Sequence, residues 1–188
     1  KNIDYLYIPS IKEIYGFNPK NKIYLDKFSN KLCGFYRKGH FRGVINVMNR
    51  LLEIIKPKNI FMGKKDYQQL YLIKKFISKK KIKSKVIECE TIREKNGVAC
   101  STRNYRLKVN DMKIASNIYH YLKNIKKKFK FYNSSLIKKE IIKLGASKVE
   151  YLDSYNIKNN FKKSKRYNRF FRIFIAYYIK DVRLIDNI

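Results

Sequence analysis

Residues 59–70 constrain the fold most, because a glycine joins an apolar run to an amphipathic helix there. The run at 60–62 predicts a short buried strand, and Gly63 offers the backbone freedom that a tight turn uses. Asp66 and Gln69 have the spacing of a D-x-x-Q capping box, which predicts a helix start. Apolar residues then recur at helical spacing: Tyr67, Leu70, Tyr71, Ile73, Phe76 and Ile77. The stretch therefore predicts a strand, a turn and a helix.

Two lysines, Lys64 and Lys65, lie at this turn. In open α/β sheets, ligands bind at the carboxyl ends of strands, and helix N-termini attract anions. The turn is therefore a candidate site for nucleotide phosphates. The residues alone leave open the alternative that the turn binds nothing and that its lysines face solvent.

The surrounding pattern predicts a parallel sheet. A helix is expected from about Phe41 to Ile55 and a strand at 86–89, on either side of the strand–turn–helix stretch. Alternating helices and strands are typical of right-handed crossovers, so a doubly wound, Rossmann-like domain is predicted. Further expectations are a strand at 3–8, a helical turn ending at Tyr15, a strand at 22–28 and a polar loop at 30–39.

The second half of the chain has a different character. A polar loop at 91–104 precedes two predicted helices, at about 111–129 and 134–144, the second capped by Ser134 or Ser135 and ended by Gly145. Strands are expected at 148–154, 170–179 and 182–185, with a loop at 156–168. This order predicts a small α+β domain. The loop carries Ser101, Thr102 and Arg103, whose hydroxyls and guanidinium suit phosphate oxygens, although an ordinary loop also contains such a triplet by chance.

Composition excludes several classes of protein. No apolar run reaches the roughly 18 residues of a membrane span. Three widely spaced cysteines and two histidines indicate neither a disulfide framework nor a metal site. The net charge of +31 ordinarily indicates nucleic acid, but the lysines are dispersed and accompany an excess of Asn, Ile, Tyr and Phe, which share A/T-rich codons. We therefore expect a cytoplasmic protein with no membrane contact and no specific nucleic-acid partner.

Several stretches together resemble the pantothenate synthetase family, also called pantoate–β-alanine ligases. The resemblance rests on residues 39–44 (GHFRGV), 63–69 (GKKDYQQ), 91–94 (TIRE) with Gly97, 101–104 (STRN) and 183–187 (RLIDN). These stretches occur in the family's order and cover nearly the whole chain. The resemblance implies part of a Rossmann-like nucleotide-binding domain at 1–92, followed by a small α+β lid domain at 93–188. It also implies a homodimer.

The resemblance further implies an ATP-dependent ligation. A pantoate carboxylate would attack the α-phosphorus of ATP, and the amine of β-alanine would then attack the resulting pantoyl adenylate, with Mg²⁺ accompanying the nucleotide. Lys65 and Arg103 would be catalytic, Ile92 would lie against the adenine, and Gln69 would bind pantoate. The implied ATP-binding residues are Gly63, Lys64, Lys65, Asp66, Ile92, Cys100, Ser101, Thr102 and Arg103.

The sequence also departs from the family pattern. Lys64 stands where the family has Glu, and Thr102 replaces the second Ser of Ser-Ser-Arg. The family's HxGH-like element and the glutamine that follows it are absent from these 188 residues. We therefore expect the chain to correspond to the C-terminal two-thirds of the enzyme and to be inactive by itself. The alternatives are a basic nucleic-acid-binding protein and a non-catalytic remnant that needs a partner chain.

Overall fold

The computed structural model describes residues 3–16, 23–128, 133–158, 161–163 and 170–188. The chain divides into two compact units. The first contains residues 1–62 and 68–88, and the second contains residues 63–67 and 89–188. The turn at 63–67 thus belongs with the second half of the chain. The domain boundary expected between residues 92 and 93 stays a prediction.

The first unit holds four helices and most of a two-stranded sheet. The helices are α1 (Ile11–Tyr15), α2 (Cys33–Tyr36), α3 (His40–Ile55) and α4 (Tyr67–Lys79). The strands β1 (Asn59–Gly63) and β2 (Lys85–Cys89) pair in parallel and are connected through α4. The predicted helix at 41–55, the strand at 86–89 and the turn ending at Tyr15 are confirmed.

The apolar faces of α3 and α4 form the core of this unit. Ile45, Ile73 and Phe76 are fully buried, and Leu70 is nearly so. The side chain of Gln68 is also buried and donates to the carbonyl oxygens of Phe28 and Lys31, at 2.9 and 2.7 Å. Helical spacing of apolar residues therefore identified these helices correctly.

Two predicted strands of the first unit are wrong. Residues 3–8 join neither sheet, and Tyr5 is 92% exposed. Within the described part of the chain, no strand pairs with the backbone of residues 3–8, and a strand needs such a partner for its N–H and C=O groups. In the predicted strand at 22–28, residue 22 lies outside the described residues. Asp26 instead accepts a bond from the Phe28 N–H at 2.8 Å and starts a 3₁₀ turn, Lys27–Asn30.

Two smaller expectations also need correction. The loop expected at 30–39 contains the short helix α2. The strand β1 was expected to be buried, but only Met62 of its residues is, while Phe61 is 70% exposed.

The second unit packs two helices on an antiparallel sheet. The helices are α5 (Val109–Lys128) and α6 (Ser134–Lys143). The strands are β3 (Lys148–Asn156), β4 (Lys162–Lys163), β5 (Phe171–Ile179) and β6 (Val182–Asn187), in the order β4-β3-β5-β6. The predicted helices and strands are confirmed, although residue 129 lies outside the described part. The loop expected at 156–168 contains β4, and its residues 159–160 and 164–168 also lie outside that part.

The ends of α6 show how local chemistry sets its length. Asn133, rather than Ser134 or Ser135, caps the helix, because its side-chain oxygen accepts from the N–H groups of Ser135 and Leu136. Gly145 follows the C-cap with a φ of +111°. Its N–H bonds to Ile142, and the next N–H bonds to Ile141, which is a Schellman motif.

One apolar core joins α5 and α6 to the sheet. Its most buried members are Ala115, Ile118, Leu122, Ile141, Leu152, Ile173, Ile175 and Ile179. None of the helices in the described part is long and apolar enough to cross a membrane.

Candidate functional site

The turn after β1 begins helical backbone earlier than the sequence predicted. A 3₁₀ turn, Lys64–Asp66, runs directly into α4, so Gly63 precedes the helical backbone and Asp66 lies within it. The capping box at Asp66 is therefore wrong. Gly63 has φ −71° and ψ 134°, which any residue adopts, and an added Cβ would meet no atom within 4 Å. Neither backbone conformation nor packing within the described chain requires a glycine here.

The loop that follows β2 is a small hairpin. The Cys100 N–H bonds to the Ile92 carbonyl at 3.0 Å, and the Glu94 N–H bonds to the Val98 carbonyl at 2.8 Å. Gly97 turns the tip with a φ of +89°, and an added Cβ would lie 2.4 Å from the ring of Tyr119. Both the backbone and the contact with α5 therefore require glycine at this position.

Arg93 anchors this hairpin. Its guanidinium donates two bonds to the carboxylate of Asp186, at 2.7 and 3.0 Å, and one to the Gly97 carbonyl at 3.0 Å. It also lies over the Tyr119 ring, 4.3 Å from the centroid. The hairpin is thus attached to both β6 and α5.

A pocket within the second unit brings together three of the predicted residues. Lys65, Ser101 and Arg103 line it, together with Val98, Ala99, Asn104, Tyr177, Arg183, Leu184, Ile185 and Asp186. Lys65 comes from the turn after β1, while Ser101 and Arg103 come from the hairpin and the 3₁₀ turn after it, Thr102–Arg106. Residues that carry an ammonium, a guanidinium and a hydroxyl therefore line one pocket, and these groups suit phosphate oxygens.

The three donors differ in how they are held. Among the described residues, the Lys65 ammonium group makes no hydrogen bond or ion pair. Arg103 donates to the Arg183 carbonyl at 3.3 Å, which fixes one side of its guanidinium. The Ser101 oxygen caps the 3₁₀ turn by accepting from the Arg103 N–H at 3.2 Å, so its hydroxyl proton is left to donate.

The remaining predicted residues lie around this pocket or away from it. The Lys64 ammonium bonds to Glu90 and lowers the pKa of that carboxyl. Ile92 is 75% exposed, and Thr102 is also exposed. Five of the predicted residues do not line the pocket: Gly63, Asp66, Ile92, Cys100 and Thr102. Burial, and then a bond to Glu94, raise the pKa of the Cys100 thiol. Gln69 is half-buried on α4 and belongs to the first unit.

Sequence reasoning missed the contribution of β6. Arg183 and Asp186 line the pocket, and Asn187 donates to the carbonyls of Lys64 and Lys65, at 2.9 and 2.7 Å. The stretch 183–187 supported the family resemblance but received no role. The available signal was the two charged residues, Arg183 and Asp186, that flank the apolar pair Leu184 and Ile185.

Asn104 is a second residue without an assigned role. Its side chain is buried and donates to the Ala99 carbonyl at 3.1 Å. Its oxygen has no hydrogen-bond partner in the described part of the chain. The residue also lines the pocket.

The described side chains do not build a magnesium site of their own. No group of three or more His, Cys, Asp or Glu residues there is able to hold a metal ion. The carboxylate in the pocket, Asp186, is paired with Arg93. Mg²⁺ in nucleotide sites is often held mainly by phosphate oxygens and water, so a nucleotide is able to bring its own ion.

Comparison with known proteins gives a consistent result. The family model described as pantoate-beta-alanine ligase matches residues 1–188. A pantothenate synthetase of Flavobacterium psychrophilum is 32% identical over 97% of this chain and 67% of its own length. One from Francisella tularensis subsp. mediasiatica is 37% identical over 99% of this chain and 64% of its own length. The chain thus spans about two-thirds of the length of these relatives.

Solved structures are also similar. A pantoate-beta-alanine ligase from Francisella tularensis, complexed with beta-gamma ATP and beta-alanine, has a TM-score of 0.74 and 36% identity, over 94% of this chain and 61% of its own. A pantothenate synthetase from Thermus thermophilus has a TM-score of 0.80 at 23% identity, over 96% of this chain and 67% of its own. This likeness confirms the predicted fold class, an α/β chain with part of a Rossmann-like domain followed by a small α+β lid domain.

Proposed function

The chain belongs to the pantoate–β-alanine ligase family, and from that premise we propose that it holds ATP for the condensation of pantoate with β-alanine. The observation that carries the proposal is the convergence of Lys65, Ser101 and Arg103 on one pocket. These residues come from two separate segments, and each supplies a hydrogen-bond donor suited to phosphate. The similar protein from Francisella tularensis, crystallised with an ATP species and β-alanine, supports the same choice of ligands.

The proposed reaction has two steps. A carboxylate oxygen of pantoate forms a bond to the α-phosphorus of ATP, and the bond from that phosphorus to the pyrophosphate oxygen breaks. The amine of β-alanine then bonds to the acyl carbon of pantoyl adenylate, and the bond to AMP breaks while the amine loses a proton. The products are pantothenate, AMP and pyrophosphate.

The pocket residues are proposed to manage charge in the first step. Negative charge grows on the departing pyrophosphate and on the α-phosphate oxygens. Lys65 and Arg103 offer positive charge there, and Ser101 offers a hydroxyl donor. Preorganised donors of this kind typically supply a large part of the rate enhancement, because they need no rearrangement as the charge develops.

The other predicted residues are assigned to the nucleotide and to pantoate. Gly63 is proposed to allow close approach of the ribose, since nothing within the described chain requires a glycine there. Asp66 is proposed to contact the ribose, and the exposed Ile92 to lie against the adenine. Lys64, Cys100 and Thr102 complete the proposed nucleotide surface, and Gln69 is proposed to bind pantoate. Mg²⁺ is proposed to arrive with the nucleotide.

The wider assignments are also proposals. We expect the complete enzyme to be a cytoplasmic homodimer without a specific nucleic-acid partner. We also expect this chain to divide into domains at 1–92 and 93–188. For residues 1–188 alone, we expect nucleotide binding without turnover, because no HxGH-like element occurs in them. Positioning of reactants is worth roughly 7–11 kcal/mol of barrier, so its loss stops the reaction.

A chimera tests the function. Residues 1–188 replace the matching part of the Francisella tularensis relative, and pantothenate formation is assayed with ATP, pantoate and β-alanine. We expect AMP and pantothenate in equal amounts, and no AMP when pantoate is omitted. A folded chimera that binds ATP but forms no pantothenate would favour a non-catalytic remnant. Substantial turnover by residues 1–188 alone would show that the proposed assignment of the catalytic centre is wrong.

A further inference from the structure

The last residues of β6 connect the two segments that build the phosphate pocket. We propose that Asp186 and Asn187 are positioning residues, which hold the Lys65 turn and the hairpin at 92–100 in the relative geometry that the nucleotide phosphates need. The inference rests on the proposed function for its ligand. The claim that these two adjacent residues fix both segments depends only on the hydrogen bonds described below, and not on the identity of the ligand.

Asn187 holds the turn. Its side chain is buried, and its amide nitrogen donates to the carbonyls of Lys64 and Lys65, at 2.9 and 2.7 Å. Its amide oxygen accepts from the guanidinium of Arg172. Both N–H hydrogens of this amide are therefore used, and the two carbonyls that accept them are those of the turn lysines themselves. The backbone of Lys65 is held by one of these bonds, and Lys65 lines the pocket.

Asp186 holds the hairpin. Its carboxylate takes two bonds from Arg93, and it also accepts from the Asn187 N–H at 2.7 Å. Arg93 in turn donates to the Gly97 carbonyl and stacks on Tyr119. The side chains of Arg93 and Asp186 are only 20% and 11% exposed, so solvent screens this pair less than a surface ion pair. The hairpin leads directly to Ser101 and Arg103.

The strand itself supplies the rigidity. In the antiparallel pairing of β5 with β6, Ile175 lies opposite Asp186 and Phe174 lies opposite Asn187. Ile175 is fully buried in the core of the second unit. The separation of Lys65 from Arg103 is therefore set by a paired strand rather than by two independent loops. Sites supported in this way keep catalytic groups closer to productive geometry.

The main test is Asn187→Asp in the 188-residue chain. The substitution keeps the shape but replaces an N–H donor with an oxygen that faces two carbonyls. We expect ATP affinity to fall about tenfold, as for a lost pair of buried hydrogen bonds, while adenosine affinity stays unchanged. Ser147→Ala is the matched control, because the single proton of the Ser147 hydroxyl is shared between the carbonyls of Tyr178 and Lys180, near the turn between β5 and β6. It should change neither affinity.

A double substitution separates positioning from general stability. If Asn187 acts through Lys65, then Asn187→Asp should weaken ATP binding little further in a chain that already carries Lys65→Ala, since the two effects are coupled. Fully additive losses would overturn the proposal. So would an equal loss of ATP and adenosine affinity, which indicates a structural role alone.

Amide hydrogen exchange provides a readout that needs no ligand. In Asn187→Asp, amides at 64–68 should exchange faster, while those of β3 and β5 exchange as before. Wild-type exchange at the turn would overturn the positioning role. If Asn187→Asp fails to fold, Asp186→Asn gives the same test at residues 93–103. If the wild-type chain binds no ATP, the proposed function fails, and the exchange result still decides whether β6 fixes the turn and the hairpin.

Discussion

At the scale of single residues, Lys65 carries the most specific prediction. Its ammonium group makes no hydrogen bond or ion pair among the described residues, and the residue lines the pocket. In the chimera, Lys65→Ala should slow adenylate formation by about 10²- to 10³-fold, with little change in pantoate affinity, because one electrostatic contact to the transition state is lost. Rapid measurement of pyrophosphate release gives the rate.

The matched control is Lys74→Ala on α4. Lys74 is paired with Glu88 and does not line the pocket. This substitution should leave the rate of pyrophosphate release unchanged. An unchanged rate for Lys65→Ala as well would assign Lys65 to the surface.

Residue chemistry was predictable from sequence only where it is local. Lys65, Ser101 and Arg103 were proposed because each lies in a short stretch with recognisable donors, and the structure brings the three to one pocket. Asp186 and Asn187 received no role, because their partners Arg93 and Lys65 lie about a hundred residues away and only the register of β6 reveals them. The capping role of Asp66 was wrong because the 3₁₀ turn begins helical backbone at Lys64.

At the scale of elements, the hairpin at 92–100 depends on Gly97. Gly97→Ala should lower the melting temperature and weaken ATP binding, because positive φ costs roughly 1–2 kcal/mol and the added Cβ lies 2.4 Å from Tyr119. Gly43→Ala is the opposite case: Gly43 lies inside α3, and an added Cβ meets nothing within 4 Å. It should stabilise the chain by about 0.5–1 kcal/mol. Calorimetric melting curves of both variants check this, and equal behaviour would contradict the hairpin geometry.

A second element, the start of α5, predicts a dependence on pH. Asp111 accepts bonds from the Lys180 ammonium and the Lys108 N–H, and the Lys180 bond, against the effect of burial, lowers the pKa of its carboxyl. A carboxyl whose pKa is lower in the folded state stabilises the fold at pH values above its unfolded-state pKa. This stabilisation is lost as the pH falls through the folded-state pKa. Asp111→Asn should therefore lower the melting temperature at pH 7, and the difference should shrink toward pH 3.

The control for this pH dependence is Asp4→Asn, at an exposed position outside the described helices and strands. It should leave the melting temperature unchanged at both pH values. A constant deficit of Asp111→Asn from pH 7 to pH 3 would show that the carboxylate charge does not matter.

Elements were predicted well where packing follows a period and poorly where it needs a partner. The spacing of apolar residues identified α3, α4, α5 and α6, since each buries one face. Residues 3–8 have a similar apolar content but join neither sheet, and a strand cannot be inferred without the strand that pairs with it. The start of the turn at Asp26 follows from one side-chain bond that no periodicity reveals.

At the scale of the whole molecule, the net charge of +31 predicts weak and unspecific attraction to polyanions. Because such binding releases counterions, affinity for duplex DNA should fall by about 10³-fold or more between 50 and 200 mM salt, and unrelated sequences should bind alike. Fluorescence titrations with several duplexes at both salt concentrations measure this. A sequence preference that persists at 200 mM would favour a nucleic-acid-binding protein.

The most direct test of the account is the affinity of residues 1–188 for ATP and for adenosine, measured by calorimetry at about 150 mM salt, which limits unspecific attraction. If Lys65 and Arg103 hold phosphates, ATP should bind at least about tenfold more tightly than adenosine, since charged hydrogen bonds are worth roughly 1.5–3 kcal/mol each. That preference should disappear in Lys65→Ala with Arg103→Ala and persist in Lys74→Ala. Equal affinities in the wild-type chain, or a preference for ATP that survives the loss of both residues, would contradict the account.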